Sequence, residues 1–200
     1  MSVLLSFLVI IVIRLSPYLL LLWHNDPHQN NKERVLNEHD FIVSKTDTKG
    51  IIKYGNQIFI EMSGYSESEL IGANHNIIRH PDMPRCIFKF LWDTLAAKQE
   101  VFAFVKNLSK DGSYYWVFAN ITPSFDSNGA VVGYFSVRRK PKPASINVIT
   151  ELYAKLLAEE QRVEAGQASR RKEAVAASGA LLTEFLHSKK ISYEEYILSL

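Results

Sequence analysis

The spacing of apolar residues changes several times along the chain, and each change predicts a different kind of structure. From Val3 to Trp23 apolar residues run almost without interruption, far enough to cross a bilayer as a helix. His24 to Asn37 turns polar, with Pro27 and several Asn and Gln, and reads as a linker, so a folded unit is expected to begin near Glu38. Phe41-Ile42-Val43 opens a β-prone run, Thr46 to Gly50 supplies turn chemistry, and Ile51 to Tyr54 resumes the extended pattern, predicting a hairpin. Ile58, Phe59 and Met62 follow at a helical spacing that Gly64 terminates. Ser66 and Glu69 have the spacing of a capping box for a second short helix through Leu70. Ile87, Phe88, Leu91, Trp92 and Leu95 form one stripe of a longer helix running from about Pro84 to Lys98.

After Glu100 the period shortens. Val101 to Leu108, Tyr114 to Thr122 and Ala130 to Arg139 are β-prone, and the Asp111-Gly112 and Asn128-Gly129 pairs between them tolerate the positive φ of tight hairpins. This order predicts an α+β unit, an antiparallel sheet with helices on one face. Beyond it, Ile146, Ile149, Leu152, Tyr153, Leu156 and Leu157 recur at helical spacing, so a helix leaves the last strand with one apolar face. Leu181, Leu182, Phe185 and Leu186 form a second patch, and Ser192 with Glu195 caps a last short turn. The tail either packs on its own domain or pairs with a second copy. The chain therefore divides into an apolar segment (1–23), a linker (24–37), a sheet domain (38–140) and a helical extension (141–200).

Composition narrows the picture. A chain of 200 residues, 47% hydrophobic and 22% charged, buries one ordinary core. Its 23 basic and 21 acidic residues leave a net charge of +2, which gives no basic field of the kind nucleic acid requires. Cys86 is the one cysteine, so no intramolecular disulfide forms and a cytoplasmic domain is expected. Arg14 interrupts the apolar segment at a cost of about 2.5–3.5 kcal/mol, while fifteen Leu, Ile, Val and Phe residues return about 0.3–0.6 kcal/mol each. Insertion is favoured on that sum, and Lys32 and Arg34 would hold the following flank inside. Residues 3–23 read either as an inner-membrane anchor or as the product of an upstream start site.

The richest chemistry lies between His75 and Pro84, which reads His-Asn-Ile-Ile-Arg-His-Pro-Asp-Met-Pro. Arg79 offers a planar fork of donors suited to phosphate oxygens, Asn56 can both donate to and accept from a ring edge, and Trp92 offers a flat stacking face. Arg79, His80 and Asp82 could equally satisfy one another and cap neighbouring helices. A metal site from His75, His80 and Asp82 matches no common zinc spacing. No nucleophile elbow, phosphate-binding glycine loop or cyclase signature is present, so no enzymatic activity is expected.

Thr46-Asp47, Gly50 to Asn56, Phe59, Ser63 to Ser66 and Glu69 to Gly72 resemble the first half of a PAS domain, and Gly112, Tyr115-Trp116 and Gly133 to Arg138 resemble its last strands. The string from His75 to Pro84 is similar, more narrowly, to the FAD-binding sensors of bacterial aerotaxis. The resemblance covers about Glu38 to Arg139. It implies a PAS fold with a five-stranded antiparallel sheet, short helices on one face and a small molecule held between them. It further implies non-covalently bound FAD with Asn56, Arg79, His80, Asp82 and Trp92 at the pocket, and Trp116, Asn120 and Tyr115 as further candidates on the sheet. Haem, with His75 or His80 as axial ligand, and a cofactor-free scaffold for dimerisation or docking are the alternatives. His75 follows Gly72-Ala73-Asn74 where flavin photosensors of the superfamily carry a reactive cysteine, so redox, oxygen or energy sensing is implied rather than light sensing. The expected partners are a second copy of the chain and a separate chemotaxis or other signalling protein.

Overall fold

The structure, a computed structural model, describes residues 29–200. The apolar segment 3–23 lies outside the described residues, and within them no helix is long and apolar enough to cross a membrane.

The hairpin forms as expected, with β1 (Ile42–Thr46) and β2 (Ile52–Gly55) joined by a turn built on Asp47. The Asp47 carboxylate accepts the amides of Lys49 at 2.9 Å and Ile51 at 3.0 Å, which also holds its carboxyl below the usual range. The short helices α1 (Gln57–Ser63) and α2 (Glu67–Leu70) follow, α1 ended by Gly64 and α2 opened by the Ser66–Glu69 capping box. His75–Ile78 winds as one 3₁₀ turn before the longer α3 (Arg85–Ala96). The last three strands are β3 (Val101–Leu108), β4 (Tyr114–Phe125) and β5 (Val131–Arg139). The sheet order is β2-β1-β5-β4-β3 with antiparallel pairing throughout, so the two ends of the domain meet where β5 lies beside β1. Gly133 permits that closeness, because a Cβ there would collide with the Thr46 carbonyl.

Side-chain alternation gives the sheet two apolar faces. Ile42, Tyr115, Val117 and Ala119 point inward and share a core with Ile52 of β2 and with Phe59, Leu70 and Ile78 from the short helices. Phe104, Trp116 and Phe118 point the other way and form a separate core with Ile149, Leu152, Tyr153 and Leu156 of α4 (Pro143–Glu164). The short helices lie on one face as expected, and the C-terminal extension covers the other. Helix α4 ends at Ala165 in the left-handed region, α5 (Arg171–Lys189) packs back against α4 and α3, and α6 (Tyr193–Ser199) lies against β3. The Tyr153 hydroxyl donates to the Phe104 carbonyl at 2.9 Å, tying α4 to the sheet.

Part of the expected linker is structural. The Arg34 amide donates to the Tyr114 carbonyl at 2.7 Å, the Tyr114 amide donates to the Lys32 carbonyl at 2.9 Å, and Leu36 is buried in the inner core.

Candidate functional site

Between the inner face of the sheet and the connector that precedes α3 lies a cavity of about 110 Å³. Helix α3 supplies one wall with Phe88, Leu91, Trp92 and Leu95, the same stripe that marks it as amphipathic in the sequence. The sheet supplies Ser44, Val105, Asn107, Ala119, Ile121, Tyr134, Ser136 and Arg138, and the connector supplies His75, Ile78 and Arg79. Trp92, 41% exposed, stands at the mouth with its ring edge-on to Tyr134, centroids 5.4 Å apart. Gly50 lies beneath it, and its φ of +77° favours glycine there.

The polar wall is unusual because it is not internally satisfied. Arg138 is 3% exposed, donates one Nη2 bond to the Ser44 hydroxyl, and has no partner for Nε or Nη1. The Asn107 amide nitrogen, also buried, has none either. Buried donors of this kind cost about 1–3 kcal/mol each unless something accepts from them. His75 joins the same group, with Nε2 3.3 Å from the Ser44 hydroxyl and its ring stacked at 5.7 Å on Phe59. Burial, and then the charge of Arg138, hold the His75 pKa down at about 3, so its imidazole is neutral. The Phe59 ring also lies 4.9 Å from the Arg138 guanidinium, a cation–π contact that offsets part of the burial. The wall contains two arginines and no Asp or Glu.

The residues implied by the sequence divide sharply. Arg79 and Trp92 line the cavity, with the Arg79 guanidinium 4.3 Å from the Phe88 ring and Nη2 3.4 Å from the Met83 carbonyl. Asn56 does not line it. Its carbonyl oxygen accepts the amides of Val43 and Phe59 and its nitrogen donates to the Phe41 carbonyl, so the side chain is consumed in capping α1 onto β1. His80 and Asp82 also lie elsewhere, because the connector crosses the edge strand β3 between Arg79 and Met83. Arg79 bridges to Asn107, whereas Asp82 pairs with Lys106 at 2.6 Å on the opposite side of that strand. His80 is buried edge-on to Tyr114 and its Nδ1 accepts the Asp82 amide at 3.1 Å. Its pKa is lowered to about 4 by burial and by Lys106.

Strand alternation turns two more candidates toward the other face. Trp116, 9% exposed, faces α4 with its ring 6.4 Å from Tyr153, and Asn120 donates to Glu100 on that same outer face. Tyr115 does point inward, but it is sealed in the core outside the cavity lining and its hydroxyl has no partner. The sequence reading missed Asn107, Ser136 and Arg138. Pairing β3 with β4 and β4 with β5 in register would have found them, since Asn107 and Arg138 share the inward parity of Val105 and Ser136.

The alternatives narrow likewise. His80 is outside the cavity and cannot serve as an axial haem ligand within it. Among the described residues no three His, Cys, Asp or Glu side chains gather as a metal site. Cys86 is buried away from the cavity, and burial pushes its thiol up to about 11.

Residues 52–138 match the family model described as the PAS fold. They form a PAS domain. The chain is 35% identical over 130 residues to the aerotaxis receptor of Escherichia coli (strain K12), a match spanning 65% of this chain and 26% of that protein. It is 31% identical over 97 residues to the nitrogen fixation regulatory protein of Klebsiella pneumoniae, spanning 48% of this chain and 20% of that one. The chain thus spans between a fifth and about a quarter of the length of these curated relatives. Among solved structures, a light-oxygen-voltage domain studied with a flavin analogue aligns at a TM-score of 0.49 and 25% identity, covering 56% of this chain and 83% of that one. The PAS domain is accordingly related in sequence to part of the aerotaxis receptor.

Proposed function

We propose that the PAS domain holds a flavin, FAD, non-covalently in the cavity behind Trp92 and reports redox, oxygen or energy state to a separate signalling protein. The observation that carries this reading is the pair of buried, unpartnered donors on Arg138 and Asn107, in a cavity whose remaining wall combines apolar side chains with Ser44, His75, Arg79 and Ser136. A scaffold without a ligand would leave both unmet, which disfavours the cofactor-free alternative. The residues suit a planar heterocycle with an accepting edge. Asn107 and Arg138 supply donors, Ile78, Leu91, Leu95 and Ile121 supply apolar walls, and Trp92 supplies a flat face at the mouth. The resemblance of His75 to Pro84 to the FAD-binding sensors of bacterial aerotaxis supports the same class of ligand, and the similarity to the aerotaxis receptor is in keeping with it.

A bound flavin would supply reversible electron uptake. The protein's part is to hold the ring edge through Asn107 and Arg138, to keep water off it with Trp92 and Tyr134, and to set Arg79 where it meets both cavity and connector. The cavity, about 110 Å³, is smaller than the roughly 300–1,000 Å³ of most ligand sites, so a flavin-sized molecule requires outward displacement at Trp92. A change in hydrogen bonding at the ring would bear on α3 and β5, and through them on α4. A second copy of the chain and a chemotaxis or other signalling protein are the proposed partners, and a cytoplasmic domain with an inner-membrane anchor at residues 3–23 remains part of this proposal. Absorbance of the purified protein after incubation with FAD tests the reading. A protein-bound flavin spectrum is expected; a Soret band would point to haem, and no bound chromophore would overturn the proposal.

A further inference from the structure

We infer that Arg138 determines the charge class of the cavity's ligand, selecting a molecule that turns an anionic or strongly accepting group toward the inner end of the pocket. The inference rests on reading the cavity as a ligand site.

Arg138 is an arginine without a counter-ion. Its contacts are the Ser44 hydroxyl and the Phe59 ring, and the other cation in the cavity wall is Arg79. His75 cannot balance it, being neutral, and no carboxylate lines the wall. The guanidinium does not escape by losing its proton, because burial lowers its pKa only to about 10. A side chain chosen for packing at a position paired with Ile42 and Ala119 would be apolar, since a buried charge lacking a partner costs several kcal/mol while a hydrophobic substitute of similar volume does not. The free protein therefore carries an electrostatic cost that an accepting ligand relieves. Such costs concentrate at binding sites and make the site less stable empty than a packed equivalent.

The accepting group on a flavin has two sources, the ring edge and the phosphates. Arg138 is nearly sealed whereas the mouth lies at exposed Trp92, so the less strongly hydrated ring edge is the end expected at Arg138.

The test compares wild type with Arg138→Met and Arg138→Gln in the full chain, by thermal melting without ligand and by titration with riboflavin, FMN and FAD. Without ligand, Arg138→Met should melt at or above the wild-type temperature. With ligand, both variants should bind riboflavin and FAD at least about tenfold more weakly than wild type, and the rise in melting temperature on adding FAD should shrink accordingly. Weakening confined to FMN and FAD would place the phosphate at Arg138 and keep the charge selection. Binding within about twofold of wild type by both variants would overturn the inference. So would an Arg138→Met protein that melts well below wild type without ligand, since Arg138 would then be a structural residue. Wild type that takes up none of the flavins would overturn the flavin reading itself, and the comparison without ligand would still decide whether Arg138 stabilises the empty fold.

Discussion

Glu160 offers the sharpest quantitative test of how the helical extension is joined to the PAS domain. Its buried carboxylate, on α4, accepts the amides of Arg85 at 3.0 Å and Cys86 at 2.9 Å, which open α3, and the Ser178 hydroxyl of α5 at 3.0 Å. Pro84 brings no side-chain cap to α3, so a residue far along the chain supplies one. Glu160→Ala removes the acceptor for these donors, each worth about 1–3 kcal/mol when stranded. Partial entry of water into the vacated space reduces the sum, giving an expected loss of about 3–5 kcal/mol. Glu160→Gln keeps the volume and one accepting oxygen but turns an NH₂ group toward a donor and removes the charge at the helix N-terminus, for a loss of about 2 kcal/mol. Ser178→Ala should cost about 1 kcal/mol. Urea unfolding of the full chain followed by far-ultraviolet circular dichroism measures all of these, and hydrogen exchange at the Arg85 and Cys86 amides reports the cap directly. A Glu160→Ala protein within about 1 kcal/mol of wild type, with those amides still protected, would refute the argument.

Four further outcomes are expected. Trp116→Ala should destabilise the fold by about 3–5 kcal/mol, as a large core truncation does. Asn120→Ala should change little, and neither should weaken flavin retention by the protein that remains folded. Arg79→Ala should weaken flavin retention while Asp82→Ala leaves it unchanged, because Asp82 is 53% exposed and its pair with Lys106 lies across the edge strand; equal losses would contradict the placement of the connector. Stability should fall with acid in a defined window. The His75 and His80 pKa values are depressed to about 3 and about 4, so below about pH 6.5 the unfolded chain takes up protons that the folded one refuses. Each contributes a loss of about 1.4 kcal/mol per pH unit from roughly pH 6.5 down to its folded value, and His75→Asn should flatten that slope measurably in urea titrations. FAD binding should shift Trp92 fluorescence in the wild type, and Trp92→Phe should remove the ligand-dependent part; an unchanged signal on saturation would contradict displacement at the mouth.

The sequence was legible wherever one local rule dominated. Asp47 and Gly50 specify their turn, Ser66 with Glu69 its capping box, and the stripe from Ile87 to Leu95 its buried helix face, and each is found as expected. The antiparallel sheet with its helices followed from their order, and the PAS fold from the resemblance of those runs to a known family. The site was harder to read because residue chemistry does not reveal facing. Asn56 has the right functional groups for a ring edge but spends them within its own hairpin and helix. Asp82 is three residues from Arg79, yet an edge strand passes between them. Trp116 and Asn120 have the parity opposite to Ala119, and whether the second face of a sheet is core or surface depends on what folds back over it. The tail's apolar spacing indicated a sticky helix without naming its target. Arg138 escaped notice because it sits in an ordinary-looking strand, and its lack of an acid partner is a property of three-dimensional surroundings.

The closure of the second sheet face by α4 also fixes how this domain can be handled as a part. Cutting the chain after Arg139, where the domain ends in sequence, would bare Phe104, Trp116 and Phe118 to water and strip α3 of its remote cap. A unit moved intact into another protein therefore has to keep the strand-like lead at Lys32 and the helices α4 to α6, and a fusion designed on the family boundary would inherit an adhesive face.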